Sequence, residues 1–228
     1  MTGVLTHPIS ALDLPAPSWL KDAPEVSCEW AKLLIAASLH GRIETYARGK
    51  VLETSPHDLL LVLKGCVLAI APPQHDDGHH VFISALRKGD IITPSINSRV
   101  RIGLHARSTT TALRVPQSAI PEYMSDVGVL AKFLFTLELE LTRVYAEAAT
   151  ATLLRDQAKI LRVIEILASH PEAVNTTAGM EIEASKDEIR TLAGVHRRSA
   201  TRAFHALVEA GIVSFNGYKR VYFTGKQA

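Results

Sequence analysis

The hydrophobic pattern of this chain changes from strand-like to helical near residue 120, and that change limits the folds open to it. Upstream, short alternating or apolar runs are separated by turn residues at 43–46, 51–54, 59–63, 67–71, 80–86, 91–93, 102–106 and 111–115. So many short strands at this spacing predict an all-β barrel, roll or sandwich. A helical stretch over 25–39, ended by Gly41, precedes them. Downstream, Val127, Leu130, Leu134, Leu137, Leu141, Val144, Ala148 and Ala151 recur at spacings of 3, 4, 3, 4, 3, 4 and 3. That is an a/d heptad seam, the pattern of a helix facing another helix, here most simply its own copy in a homodimer. The alternative is a long helix packed on its own domain, since Phe133, Phe135 and Tyr145 make a second face apolar.

Charge is distributed unevenly between the ends of the 228-residue chain. From Ser185 onward, eight Lys and Arg residues face three acids, a balance of +5 in a chain whose total is +2. A basic C-terminal module attached to a slightly acidic remainder predicts a polyanionic partner. The only cysteines, Cys28 and Cys66, are too few for a disulfide framework, a four-thiolate zinc site or an iron–sulfur cluster, and suit a reducing cytoplasm. The apolar stretch at 59–71 is broken by Lys64 and Gly65 and is too short to span a bilayer, so no membrane partner is expected. Residues 1–24 carry Pro8, Pro15 and Pro17 without a basic and apolar signal pattern, and read as a loose arm.

The basic module has an internal order. A helix over 156–170, with Ile160, Val163, Ile164 and Leu167 on one face, is closed by Pro171, and a short strand is expected at 180–183. Ser185-Lys186-Asp187-Glu188 is a capping box that opens another helix. Gly194 then permits a tight turn into a further helix over about 197–210, which is helix-turn-helix geometry. On the last helix Ala200, Ala203, Phe204 and Leu207 form one stripe, while Arg198, Thr201, Arg202 and His205 lie opposite it and Arg197 flanks the first turn. No carboxylate occurs from Gly194 to Val208, whereas a solvated helix face ordinarily mixes signs. Arginines one turn apart repel unless an anion lies between them, and a phosphate backbone or the O6/N7 edge of guanine fills that role. Strands at 212–215 and 218–223 flank Asn216-Gly217, a hairpin signal, with Lys219 and Arg220 beside the tip as phosphate contacts.

These residues resemble the Crp/Fnr transcription regulators. Residues 185–213 align without a gap on that family's winged helix-turn-helix, whose second helix opens with a Ser/Thr-Arg-x-Thr/Ser-x-x-Arg pattern. The resemblance implies Arg197 and Arg202 as base contacts, joined here by Arg198, and Ser199 as a phosphate or base contact. Ser185, His196, Thr201 and His205 complete the set of phosphate or flanking contacts. His196 stands where the family has Ser or Thr, which weakens the N-cap. Arg198 stands where many members have Glu, so the operator is expected to differ from the usual ones. Upstream, 46–49, 59–67 with Lys64-Gly65, and 86–90 look like the strands and turns of the family's cyclic-nucleotide-binding-type roll, and the seam looks like its dimerisation helix.

The resulting expectation is an α+β chain with an N-terminal β-roll (jelly-roll type) sensor domain over 25–120, a long dimerisation helix over 121–153, and a winged helix-turn-helix over 154–228. The family's ribose-binding Gly-Glu is replaced by Thr93-Pro94, and its phosphate-clamp region reads Val100-Arg101-Ile102. This argues against a cyclic nucleotide. Arg99 and Arg101 are the candidates for an effector pocket, weighed against ordinary solvation of loop arginines. His75, His79 and His80 match no metal-ligand spacing, Cys66 reads as a small buried side chain, and neither a metal nor a cofactor is expected. The His-x-His pattern that an enzyme of the cupin type would need is absent from this chain. The function this implies is a homodimeric, sequence-specific regulator of transcription on double-stranded DNA. The alternative is a Crp-like adaptor or sensor working through a protein such as RNA polymerase.

Overall fold

A computed structural model describes residues 30–31, 34, 39–55, 57–71, 80–92, 102–119 and 142–225. The effector candidates Arg99 and Arg101, the loop residues His75 and His79, Cys28, and the seam positions from Val127 to Leu141 lie outside the described residues. The chain divides into two compact units, each drawn from more than one stretch of sequence. No described helix is long and apolar enough to cross a membrane.

The first unit is built on an antiparallel sheet of four strands in the order β1-β7-β2-β5. These are β1 (Arg42–Tyr46), β2 (Asp58–Lys64), β5 (Ile91–Ile92) and β7 (Thr110–Pro116). Leu60, Leu61, Val62, Leu113 and Val115 are buried in it, the β-branched and aliphatic residues that suit a pleated, buried surface. A strand at 51–54 is not formed. Val51 makes an isolated bridge, Leu52 turns into the core, and the Glu53 carbonyl accepts from Arg114 Nη2 at 2.7 Å, so this backbone bonds a side chain instead of a ladder. The turn at 87–90 is closed by Arg87 N–H donating to Asp90 Oδ2 at 2.9 Å and Asp90 N–H donating to the Arg87 carbonyl at 2.9 Å.

Arg114 is the one strongly charged side chain buried in this sheet among the described residues, and it has acidic company. Its Nε and Nη2 each donate at 2.9 Å to the two oxygens of Glu44 on β1, and Nη1 reaches Asp58 on β2 at 3.4 Å. Tyr46 donates its hydroxyl to the same Glu44 carboxylate. A bidentate, charge-assisted pair of this kind is strong and geometrically specific. The Arg114 guanidinium holds the Glu44 carboxyl below its ordinary value, while burial pushes the Tyr46 phenol up.

The second unit contains a three-stranded sheet, β4-β3-β6, made of β3 (Val67–Ala71), β4 (Val81–Leu86) and β6 (Gly103–Ala106). It also contains a helical stretch over 143–152 and the whole C-terminal region. Helix α1 (Asp156–Ala168) buries Ile160, Val163, Ile164 and Leu167, the face expected from their spacing. Its Arg162 donates to the carbonyls of Phe82 and Ile83 on β4 at 3.3 Å each, tying the helix to the sheet. Burial lowers the pKa of that guanidinium. A cavity of about 170 Å³ lies beside Arg162, bordered by β4, Ala148 and Ala151 of the helical stretch, and Leu192–Gly194. Of the described seam positions, Ala148 is buried within its own chain and Val144 and Ala151 are half-buried.

Removal of the Glu44 charge should report on the buried network. Glu44→Gln is expected to lose about 1.5–3 kcal/mol of unfolding free energy near neutral pH in urea denaturation. Because the folded carboxyl titrates below its ordinary 4.5, its contribution is complete above about pH 4.5 and is lost as the pH falls through the lower folded value. The gap between wild type and Glu44→Gln should therefore be constant from pH 7 to 5 and close in stronger acid.

Candidate nucleic-acid interface

Helix α2 (Lys186–Leu192) begins where the sequence places a cap: Ser185 Oγ accepts from the Glu188 N–H at 3.0 Å. Four residues, 193–196, join it to helix α3 (Arg197–Glu209). Gly194 has φ +63°, a left-handed conformation that favours glycine, and it lets the chain reverse within that span. Arg190 braces the turn by donating to Asp187 Oδ1 at 2.9 Å and to the Val195 carbonyl at 3.4 Å. Val195, buried, plugs the space behind it.

Helix α3 buries Ala200, Ala203, Phe204 and Leu207, the stripe read from the helical wheel. Arg197, Arg198, Thr201, Arg202 and His205 are exposed, and Ser199 is half-buried at the edge. His196 is the N-cap; its Nδ1 accepts from the Arg198 N–H at 3.5 Å, the long limit of a hydrogen bond and in keeping with a weakened cap. Thr201 donates its hydroxyl to the Arg197 carbonyl at 3.1 Å, leaving only acceptor capacity outward. His205 faces Glu209 across 3.3 Å, so the acid-free face ends at the last turn of the helix.

Among the described residues, the guanidinium groups of Arg197, Arg198 and Arg202 have no hydrogen-bond or ion-pair partner in the protein. Elsewhere in the same unit Arg143 pairs with Glu147, Arg190 with Asp187 and Arg220 with Glu181. Three unneutralised arginines within six residues of one exposed helix face leave donor forks aimed at solvent, the geometry that receives phosphates and guanine edges.

A sheet in the order β10-β11-β9-β8 brackets the two helices, with β8 (Val174–Thr176) and β9 (Gly179–Glu183) before them in the chain and β10 (Val213–Asn216) and β11 (Arg220–Phe223) after. Strand β8 has no counterpart in the sequence pattern; its three residues, Val-Asn-Thr, are mostly polar and too few to show a period. The wing turn also differs from the expected two-residue Asn-Gly connection. Asn216 pairs with Arg220, so the loop is Gly217-Tyr218-Lys219. This moves Lys219 into the tip and Arg220 onto the strand, where its Nε lies 3.5 Å from Glu181 Oε1.

Two contacts hold the wing in place, one against α3 and one at the base of the hairpin. The Phe204 and Phe215 rings meet edge to face with centroids 5.6 Å apart, and Lys186 Nζ stands 4.2 Å above the Phe215 ring. At the base, Thr224 Oγ1 donates to the carbonyls of Gly211 and Ile212 at 2.9 and 3.1 Å. Phe204 on the buried stripe, and Phe215 two residues after Val213 on a strand, are the signals the sequence offers for the first of them.

No protein-family model matches the chain, and no curated protein matches it in sequence. Solved structures do match its fold. The c-di-GMP responsive global regulator CLP of Xanthomonas campestris superposes with a TM-score of 0.67 at 18% identity, over 88% of this chain and 100% of that one. TTHB099, a CRP-family transcriptional regulator from Thermus thermophilus, gives 0.62 at 20% identity, over 79% and 91%. FixK2 from Bradyrhizobium japonicum gives 0.59 at 17%, over 82% and 99%. What is shared at these identities is the fold: the chain has the α+β architecture of Crp/Fnr regulators, antiparallel sheets followed by a C-terminal winged helix-turn-helix.

The caps offer a direct check. Ser185→Ala should cost about 1 kcal/mol in urea denaturation, while His196→Ser should gain up to about 1 kcal/mol by replacing a long Nδ1 contact with a hydroxyl suited to the site.

Proposed function

We propose that the chain is a homodimeric, sequence-specific DNA-binding regulator of transcription that lays α3 in the major groove. The observation that carries this reading is the face of α3 itself: Arg197, Arg198 and Arg202, exposed, with no protein partner among the described residues. Arg197 and Arg202 are the base readers, and Arg198 is where recognition departs from the usual pattern. His196 at the N-cap and Ser199 and Thr201 in the first two turns are flanking contacts. Lys219 at the wing tip serves as a phosphate anchor, and Arg220, paired with Glu181, adds less. The division of labour is a sensor region over 25–120, a dimer helix over 121–153 and a reading head over 154–228. Because Ala148 is covered by its own chain, the dimer contact draws on the seam ahead of it.

CLP is a c-di-GMP responsive regulator, and TTHB099 is a transcriptional regulator. A regulatory role for this chain is supported by the same fold together with the unpaired arginine face, and neither feature calls for catalysis. The replacement of the cyclic-nucleotide residues by Thr93-Pro94 supports a regulator that does not answer to cyclic AMP.

Selection of bound sequences from a random DNA pool with the purified protein should enrich a palindrome whose half-sites are about one helical turn apart. On that site Arg202→Ala should lose roughly 1–3 kcal/mol and relax preference at one base pair per half-site. Lys219→Ala should weaken operator and random DNA alike and reduce the salt slope by about 1. Equal losses on both DNAs for Arg202→Ala would remove it from the base-reading set.

A further inference from the structure

The tip of the wing carries a side chain for which the fold has no use. Tyr218 is 76% exposed at the centre of the Gly217-Tyr218-Lys219 loop. Gly217, at φ +64°, provides the left-handed residue of the turn, and turns of this kind favour small polar residues at their remaining positions. Neither the turn nor the core therefore calls for an aromatic ring there. Its neighbours are basic: Lys219 beside it and Arg220 one further on.

The position of the ring relative to α3 follows from the anchor below it. Phe215 is held against Phe204, and Tyr218 lies three residues beyond. At about 3.3 Å per residue, the tip stands at most about 10 Å past that contact. The major groove is about 12 Å wide, so a hairpin reaching this far from a helix seated in the groove arrives at its bordering phosphates and the mouth of the adjacent minor groove. Lys219 meets the phosphates. An apolar ring between them and the bases fits the minor groove, where proteins place aromatic and aliphatic wedges.

Resting on the reading of α3 as a major-groove helix, we propose that Tyr218 is a further DNA contact: it enters the edge of the minor groove flanking each half-site and adds a preference there for A·T over G·C pairs. The exocyclic N2 amino group of guanine projects into that groove and is absent from A·T pairs, so it obstructs the ring.

The test uses the full-length protein and the palindrome obtained by selection. At the flanking base pairs, 2,6-diaminopurine·T replaces A·T, and inosine·C replaces G·C. These substitutions add or delete the minor-groove amino group while leaving the major-groove pattern in place. Wild type should bind diaminopurine-flanked DNA about fivefold more weakly and inosine-flanked DNA as well as A·T-flanked DNA. Tyr218→Ala should lose that discrimination with an unchanged melting temperature, and Tyr218→Phe should keep it. If wild type ignores the amino group, or if Tyr218→Ala discriminates as wild type does, the inference is overturned. It is overturned equally if Tyr218→Ala binds normally but fails in transcription with RNA polymerase, since the ring then serves a protein. Failure of selection to enrich any site would instead overturn the underlying reading of α3, and this inference with it.

Discussion

Phe215 is the contact on which the winged helix-turn-helix depends. Its ring meets that of Phe204 on α3 in a T-shaped pair and lies under Lys186 at the start of α2, so one side chain of the wing touches both helices of the helix-turn-helix. An aromatic pair adds about 0.5–1.5 kcal/mol beyond the area it buries, and a cation–π contact from an exposed lysine such as Lys186 about 0.5–1 kcal/mol. Together with the Thr224 hydrogen bonds at the hairpin base, they set the distance from α3 to the wing tip within the folded protein itself. A surface ordered in advance loses less conformational entropy on binding.

Arginine is used in two opposite ways in this chain. Arg114 is buried against Glu44, Asp58 and Tyr46, and its guanidinium donates to acceptors on β1, β2 and the Glu53 carbonyl. Removing one member of such a set strands the others, and that is how it specifies register between strands. Arg197, Arg198 and Arg202 are the reverse: clustered, exposed and, among the described residues, unneutralised by the protein. Mutual repulsion makes that arrangement unfavourable for folding alone. Local choices that work against stability are expected where a surface is shaped for a partner.

Much of the architecture is legible in the sequence. Residues 67–71 form the expected strand, and the other roll strands except 51–54 differ from expectation by a residue or two, because glycine, proline and aspartate turns punctuate the apolar runs clearly. The buried stripe of α3 and the Ser185 cap match their expectations, since both depend only on helical geometry within a few residues. The departures arise where long-range partners compete. The 51–54 backbone is claimed by Arg114, 61 residues from Glu53 in sequence. The wing turn shifts because pairing of Asn216 with Arg220 sets the register, which an Asn-Gly dipeptide does not decide alone.

The candidate interface divides along the same line. Its composition, three arginines with no acid from Gly194 to Val208 after a capped helix and a glycine turn, is local information and is present in the sequence. Which of the flanking groups remain available is not local. Glu209 engages His205, Glu181 engages Arg220, and Thr201 bonds back to its own helix, while Lys219 and Tyr218 are left at the tip of a loop one residue longer than expected. Side-chain type follows from the chain alone; side-chain availability depends on which carboxylates and carbonyls the folded backbone brings within hydrogen-bond reach, and strand register and helix packing set that.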